Sequence, residues 1–264
     1  MYMQKKSIFI ALCAILLLSV SWGRVAAKET TDTAPETEGT YEVPGKPNMK
    51  VKVFVHRPKA AKPAPRPTPT PVIVCPGDTQ SDSVIPPVGW KLPSSWTYTL
   101  NTASVPASVG SANWATIAAT SFSQWTGALN GKVTITPTSS PTTVNRATLD
   151  NRNILTWGRT QNGALAVTYT WYYPDTGMVA EVDTIMNQKY PWFWNSGAPI
   201  CTDANSYDAQ NILTHELGHW VGLDDTYTEE FTENTMYGYG AKGETKKDTL
   251  TAGDITGAVN IYTN

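Results

Sequence analysis

Apolar and polar positions change their period several times along the chain, and each change marks an element. Residues 50–55 (KVKVFV) alternate Lys with Val and Phe, the two-residue period of a half-buried strand. Ser95 to Asn101 is β-branched and aromatic and also reads as a strand. Residues 111–129 place Trp114, Ile117, Ala118, Phe122, Trp125 and Leu129 three and four apart, which gives a helix one apolar face. Lys132 to Pro137, Asn153 to Arg159, Ala164 to Tyr173 and Met178 to Met186 read as four successive strands. A second helix is expected over Asp208 to Val221. A third runs from about Thr251 to Tyr262, where Thr251 and Asp254 have the spacing of an N-terminal cap.

Other stretches lack such a period. Residues 28–43 are polar and rich in Thr and Glu, so no ordered core is expected there. Over residues 58–71 recurrent Pro enforces an extended spacer and excludes a helix. At the start, Lys5 and Lys6 precede the apolar run Ile8 to Val20, and Val25-Ala26-Ala27 offers small residues for cleavage. That run is too short for the roughly 20 residues that span a bilayer, so a secretory signal is preferred to an uncleaved anchor. The expected layout is a signal peptide at 1–27, a polar and Pro-rich pro-segment or linker at 28–71 and a folded domain at 72–264. The chain is expected to be secreted, with no membrane span after cleavage.

Charge narrows the function. The 264 residues carry 20 basic and 22 acidic side chains, and loss of Lys5, Lys6 and Arg24 with the signal leaves 17 against 22. No basic face suited to phosphates emerges, so a nucleic-acid partner is not expected. The balance is uneven. Residues 44–70 carry seven basic residues and no acid, whereas residues 175–264 carry 14 acidic and four basic ones. The basic segment either lies across the acidic half and impedes it, or is a solvated linker. Trp192-Phe193-Trp194 is expected to pack in the core, because large aromatics are more often buried for their area.

The chemistry lies in HELGHWVGLDD, residues 215–225. On a helix His215 and His219 share one face, a turn apart, and can meet one metal ion. Glu216 can reach a metal-bound water without being a ligand. Gly222 permits a sharp helix end, after which Asp225, or one residue early Asp224, supplies a third ligand. Met236, in the turn Thr235-Met236-Tyr237-Gly238, would form an apolar floor below the metal. The bland alternatives are two solvated imidazoles on a surface helix and a metal domain without catalysis. The remaining histidine, His56, beside the Pro-rich spacer, is expected to be solvated.

With these residues the sequence resembles the metzincin metallopeptidases, particularly their matrixin-like and snapalysin-like groups. The family pattern falls on His215, Glu216, His219, Gly222 and Asp225, with the Met-turn at Met236. The resemblance covers Trp90 to the C terminus. It implies an α+β fold with a twisted, mostly parallel sheet, one antiparallel edge strand, two long helices and a small C-terminal subdomain ending in a helix. It implies one catalytic zinc, Glu216 as general base, and a strand edge at Ala164, Leu165, Ala166 and Val167 that pairs with an extended substrate. Most of the family has His where Asp225 stands. Some members place a metal-binding or oxyanion-stabilising Tyr two residues after the Met, where this chain has Gly238, so neither Tyr237 nor Tyr239 inherits that role.

The two cysteines beyond the signal, Cys75 and Cys201, suit a disulfide in an oxidising compartment. A latency thiol at Cys75 is the alternative, but VCPGD lacks the Arg that accompanies that motif. Calcium is conceivable from the acidic half, yet no calcium-loop spacing appears. The leading expectation is a secreted, monomeric zinc endopeptidase acting on protein or peptide. A cell-wall amide hydrolase and a secreted adhesion module with a structural metal are the alternatives.

Overall fold

Two-residue alternation in the strands decides which side chains meet the helices. A computed structural model describes residues 35–60, 79–160, 163–196 and 201–263. The signal segment and most of the Pro-rich spacer lie outside these residues. The strands are β1 (Gly39–Val43), β2 (Lys46–Pro58), β3 (Ser95–Leu100), β4 (Thr134–Pro137), β5 (Ile154–Gly158), β6 (Ala166–Tyr173), β7 (Met178–Asn187), β8 (Trp192–Phe193), β9 (Tyr207–Asp208) and β10 (Tyr239–Gly240). The α-helices are α1 (Ser111–Ala128), α2 (Ala209–Trp220) and α3 (Ala252–Tyr262).

The architecture is mixed α+β. The main sheet runs β1-β2-β6-β7-β5-β3-β4, and β10 pairs with the end of β2. β7, β5, β3 and β4 are parallel neighbours, whereas β1, β2, β6 and β7 pair antiparallel in turn. β6 is antiparallel to both of its neighbours and is not an edge, and three antiparallel pairings stand where the resemblance implied one antiparallel edge strand. Its Ala166 and Val167 pair with His56 and Val55 of β2 on one side and with Met186 and Ile185 of β7 on the other. With β2 in place, Ala164 to Val167 offer no free edge to a substrate.

The boundary expected near residue 72 falls after two strands of the sheet. β1 and β2 lie before the boundary drawn near residue 72, yet β2 is hydrogen-bonded along β6 and β1 along β2. Residues 39–43, expected to lack order, form a strand because Tyr41 and Val43 pack on Val51 and Val53 across the hairpin. The chain-distant partner β6 supplies the rest of that stabilisation, and no local pattern announces it.

On the helix side of the sheet, the cross-strand row Phe54, Thr168 and Thr184 faces α2. Val53, Val55, Val167 and Ile185 face the other way and form a second cluster with Met49, Ala164 and Trp171. Four fully buried tryptophans, Trp114, Trp125, Trp157 and Trp220, anchor the helix layer, and a buried side chain of this kind stabilises by about 2–3 kcal/mol. Their indole N–H groups also hold the frame: Trp125 donates to the carbonyl of Thr214 at 2.8 Å, and Trp220 to Thr184 Oγ1 at 2.9 Å. Trp192 and Phe193 are buried, as expected for an aromatic loop packed in the core. α3 starts with a full capping box between Thr251 and Asp254. Among the described residues no helix is long and apolar enough to cross a membrane.

Two buried acids of β7 grip the loop before β5. Asp183 accepts from the backbone N–H groups of Thr148 and Ile154, and Glu181 from those of Asp150 and Asn151. Burial raises the Glu181 carboxyl to about 7, against the pull of its two N–H donors. A folded-state pKa raised from 4.5 means that the folded protein keeps this proton longer than the unfolded chain, so this group's contribution is lost as pH rises from 4.5 to about 7. Urea unfolding at the two ends of that window should therefore show a smaller fall for Glu181→Gln than for the wild type; equal falls would remove Glu181 as the cause.

Candidate metal centre

Helix α2 carries the site because the fold gives its first and last turns defined ends. Asp208 caps the N-terminus by accepting from the N–H of Asn211 at 2.8 Å. All twelve residues of α2 are buried, which is unusual for a segment with two His and a Glu unless those groups are paired. At the other end Gly222 adopts φ +102°, and a Cβ there would lie 2.4 Å from the carbonyl oxygen of Trp90. Only glycine fits that turn. The chain reverses immediately, with Leu223 N–H donating to Gly218 O, and Asp225 is carried back over the helix face.

The two imidazoles are held in one tautomer. His215 Nδ1 donates to Thr235 O at 2.7 Å and His219 Nδ1 to Leu223 O at 2.9 Å. Carbonyls only accept, so each Nδ1 carries the proton and each Nε2 presents a lone pair. Asp225 Oδ1 lies 3.1 Å from His215 Nε2, and Oδ2 lies 3.7 Å from His219 Nε2. His215 Nε2, His219 Nε2 and Asp225 Oδ1 are buried with no hydrogen-bond partner among the described residues. Three converging, unsatisfied ligand atoms are what a buried cation requires, since an unpaired polar atom would otherwise cost about 1–3 kcal/mol. Two nitrogens and a carboxylate are a donor set suited to zinc.

Burial lowers His219 to about 4, against the attraction of Asp225, and it drives His215 well below its usual value, so both are neutral ligands. Burial likewise raises Asp225, opposed by its attraction to His219. Asp224 turns elsewhere, accepting from Lys52 Nζ at 2.9 Å and from the Asp225 N–H.

Glu216 sits beside this set. Its Oε2 accepts from Thr168 Oγ1 at 2.5 Å, while Oε1 has no hydrogen-bond partner. Burial raises its carboxyl to about 8, with the Thr168 hydrogen bond opposing. A divalent cation next to it would reverse that balance, because the ion becomes the largest local charge.

Met236 is fully buried below the helix. A Cβ on Gly218 would fall 2.1 Å from its sulfur, so the glycine between the two ligand histidines makes room for the Met-turn. The turn itself is clamped from α3, where Asp254 accepts from the N–H groups of Thr235 and Met236. The predicted residues His215, Glu216, His219, Asp225 and Met236 are therefore brought together.

Two expectations fare differently. His56 is 1% exposed rather than solvated, and its ring meets that of His215 edge-on at 4.0 Å. Its Nδ1 lies 3.6 Å from Glu216 Oε1, so His56, His215 and Glu216 form a second group of ligand type overlapping the first. The reason is the long-range pairing of β2 with β6, which no local pattern around His56 encodes. Cys201 is buried, but Cys75 lies outside the described residues, and with it the expected bridge.

Tyr227 was not foreseen. Its hydroxyl donates toward Asp225 Oδ2 at 3.3 Å and also lies 3.2 Å from Glu38 Oε1. Its ring fills the space that a side chain on Gly238 would need, 2.4 Å from that Cβ. The available signal was its place two residues after the ligand aspartate.

Residues 148–260 match the family model of peptidase M43, described as pregnancy-associated plasma protein-A. The match spans β5 to most of α3 and includes all three ligands, Glu216 and Met236. No curated protein matches the chain. The chain thus carries a metallopeptidase-like domain with a candidate zinc cluster.

Tyr227 engages one oxygen of the Asp225 carboxylate and would leave the other to a cation in this site. Groups in that position typically contribute about 10–100-fold to metal affinity. Tyr227→Phe is expected to weaken zinc binding by about tenfold, measured by competition with a chromogenic chelator; unchanged affinity would reduce Tyr227 to a surface contact.

Proposed function

We propose that the chain is a secreted zinc metalloendopeptidase of the metzincin type, acting on protein or peptide as a monomer. One observation carries this reading above the others. His215 Nε2, His219 Nε2 and Asp225 Oδ1 converge without hydrogen-bond partners, beside a buried carboxylate that is held by one oxygen only.

His215, His219 and Asp225 would hold a zinc ion, which would supply a water of lowered pKa and polarisation of the scissile carbonyl. The protein supplies the rest. His215 and His219 stay neutral and fixed through Thr235 and Leu223, and Asp225 brings the single negative charge, so the dication keeps a net charge of +1 with this ligand set. Thr168 holds Glu216 Oε2, and Thr168 is itself linked to Thr184 at 2.7 Å. That leaves Oε1 to take a proton from water and to return it to the leaving amine, the usual work of a general base and acid. Met236 and Gly218 keep the floor dry and apolar.

Support for the metzincin type comes from the His215, Glu216, His219, Gly222 and Asp225 spacing and the Met-turn; the matched family model supports a metallopeptidase. Secretion is supported by the N-terminal sequence pattern alone.

The test is Glu216→Gln in the secreted protein. It should retain one zinc per chain by mass spectrometry and lose about 10²–10⁴-fold of wild-type casein hydrolysis. Retention of wild-type turnover would sink the mechanism. Turnover of a peptidoglycan cross-link without any turnover of casein would instead place the chain among cell-wall amide hydrolases.

A further inference from the structure

Lys247 is a fully buried cation to which the zinc chemistry gives no task. Its ammonium donates to the carbonyls of Tyr237 at 2.5 Å and Tyr239 at 3.0 Å, which leaves one N–H. That third proton faces His56 Nε2 at 3.4 Å. Glu244 does not take it, because its Oε1 lies 3.8 Å away and accepts from Asn211 Nδ2. A buried ammonium with an unused donor is costly. An acceptor at the place of His56 Nε2 is therefore something this group requires.

That place is the end of a pocket of side-chain size. Leu165 and Ile212, both fully buried, form its apolar walls. Gly240 gives it depth, since a Cβ there would lie 2.9 Å from Leu165 Cδ1, 2.7 Å from Ile212 Cδ1 and 3.0 Å from His56 Nε2. His215 meets the imidazole edge-on at 4.0 Å, and Glu216 Oε1 lies 3.6 Å from its Nδ1. The pocket thus lies directly beside one metal ligand and the general base. A polypeptide that presents an amide to those groups brings the side chain of an adjacent residue to the space the imidazole fills.

We propose that Lys247 makes this pocket selective for an acidic side chain, glutamate above all, so that the chain cuts polypeptides beside glutamate. The inference rests on the metallopeptidase reading above and names its substrate class. A glutamate tip reaches as far from Cβ as Nε2 of histidine does, whereas aspartate is shorter. The glutamate methylenes suit the walls of Leu165 and Ile212, and the carboxylate gives Lys247 a charge-assisted third bond, roughly twice as strong as a neutral one. Glutamine offers only the neutral bond. Leucine leaves the N–H unpaired, which costs the desolvation of that donor, and lysine sets like charges together. Glu216 does not oppose this choice strongly, because it faces Nδ1, near the root of the pocket, and the new carboxylate sits at its end.

The test uses the full-length, zinc-loaded protein and peptides that differ only in carrying Glu, Gln, Leu or Lys at a residue flanking the cut amide. The kcat/KM for Glu should exceed that for Gln or Leu by about ten- to a hundredfold, with Lys lowest. Lys247→Met should remove the difference between Glu and Gln, and Lys247→Arg should keep it, which separates the charge from the tie to Tyr237 and Tyr239. A second measurement needs no turnover. Full-length His56→Gly vacates the pocket, and calorimetry should show propionate binding about tenfold more tightly than propionamide. Adding Lys247→Met to that variant should abolish the difference.

Equal cleavage of the Glu and Gln peptides, a preference for Leu, or a Glu preference that survives Lys247→Met overturns the assignment. If Lys247→Met does not fold, the wild-type ratio of Glu to Gln and the propionate selectivity of His56→Gly decide it, and loss of either preference overturns it. If zinc is bound and no peptide is cut, the endopeptidase reading falls and this one with it. If all four peptides are cut alike, the endopeptidase reading stands and this one alone falls.

Discussion

Burial of histidine without an ordinary partner is the constraint around which this domain is organised. An imidazole inside a protein must give up its charge and satisfy both nitrogens. The fold meets half of that demand with backbone carbonyls. Thr235 belongs to the Met-turn and Leu223 to the reversal after α2, so the two loops that shape the site also fix the tautomers. Each loop is then secured from elsewhere, the Met-turn by Asp254 of α3 and the reversal by the close approach of Gly222 to Trp90. The tryptophan frame serves the same end, since Trp90 donates to the carbonyl of His219 and Trp125 to that of Thr214. The other half of the demand, at the two Nε2 atoms, is left for a cation.

A buried ammonium stands close by. Lys247 is fully buried, and its ammonium donates to the carbonyls of Tyr237 and Tyr239, 3.4 Å from His56 Nε2. Burial lowers it to about 8, with Glu244 opposing. It ties the chain that leaves the Met-turn to the end of β2, so the cover and the floor of the site share one fastening. Charge, hydrogen bonding and chain path are thereby coupled at a single side chain.

Much of this was legible because the relevant signals are local. The three- and four-residue spacing of Trp114, Ile117, Ala118, Phe122 and Trp125 gave α1, the period-two segments gave β3 to β7 to within two residues, and the Thr251–Asp254 spacing gave the cap of α3. His215, Glu216 and His219 were readable because helix geometry fixes which residues share a face. Gly222 and Asp225 followed from the need to end that helix and return. What escaped was non-local. KVKVFV announces a strand but not its neighbour, and without the neighbour His56 looks like a surface histidine and β6 like an edge. Tyr227 escaped for a related reason, since the space it fills is made by a glycine eleven residues later, on the other side of a turn.

The position of β2 in the chain has a bearing on how the domain comes into being. Translation delivers β1 and β2 first, β6 much later, and α2 with its histidines later still. The hairpin must therefore wait for a partner far along the sequence, a pairing of high loop-closure cost that forms late relative to local structure. Because Phe54 and His56 stand over α2, the site is completed only when one of the earliest segments of the chain meets a helix made much later.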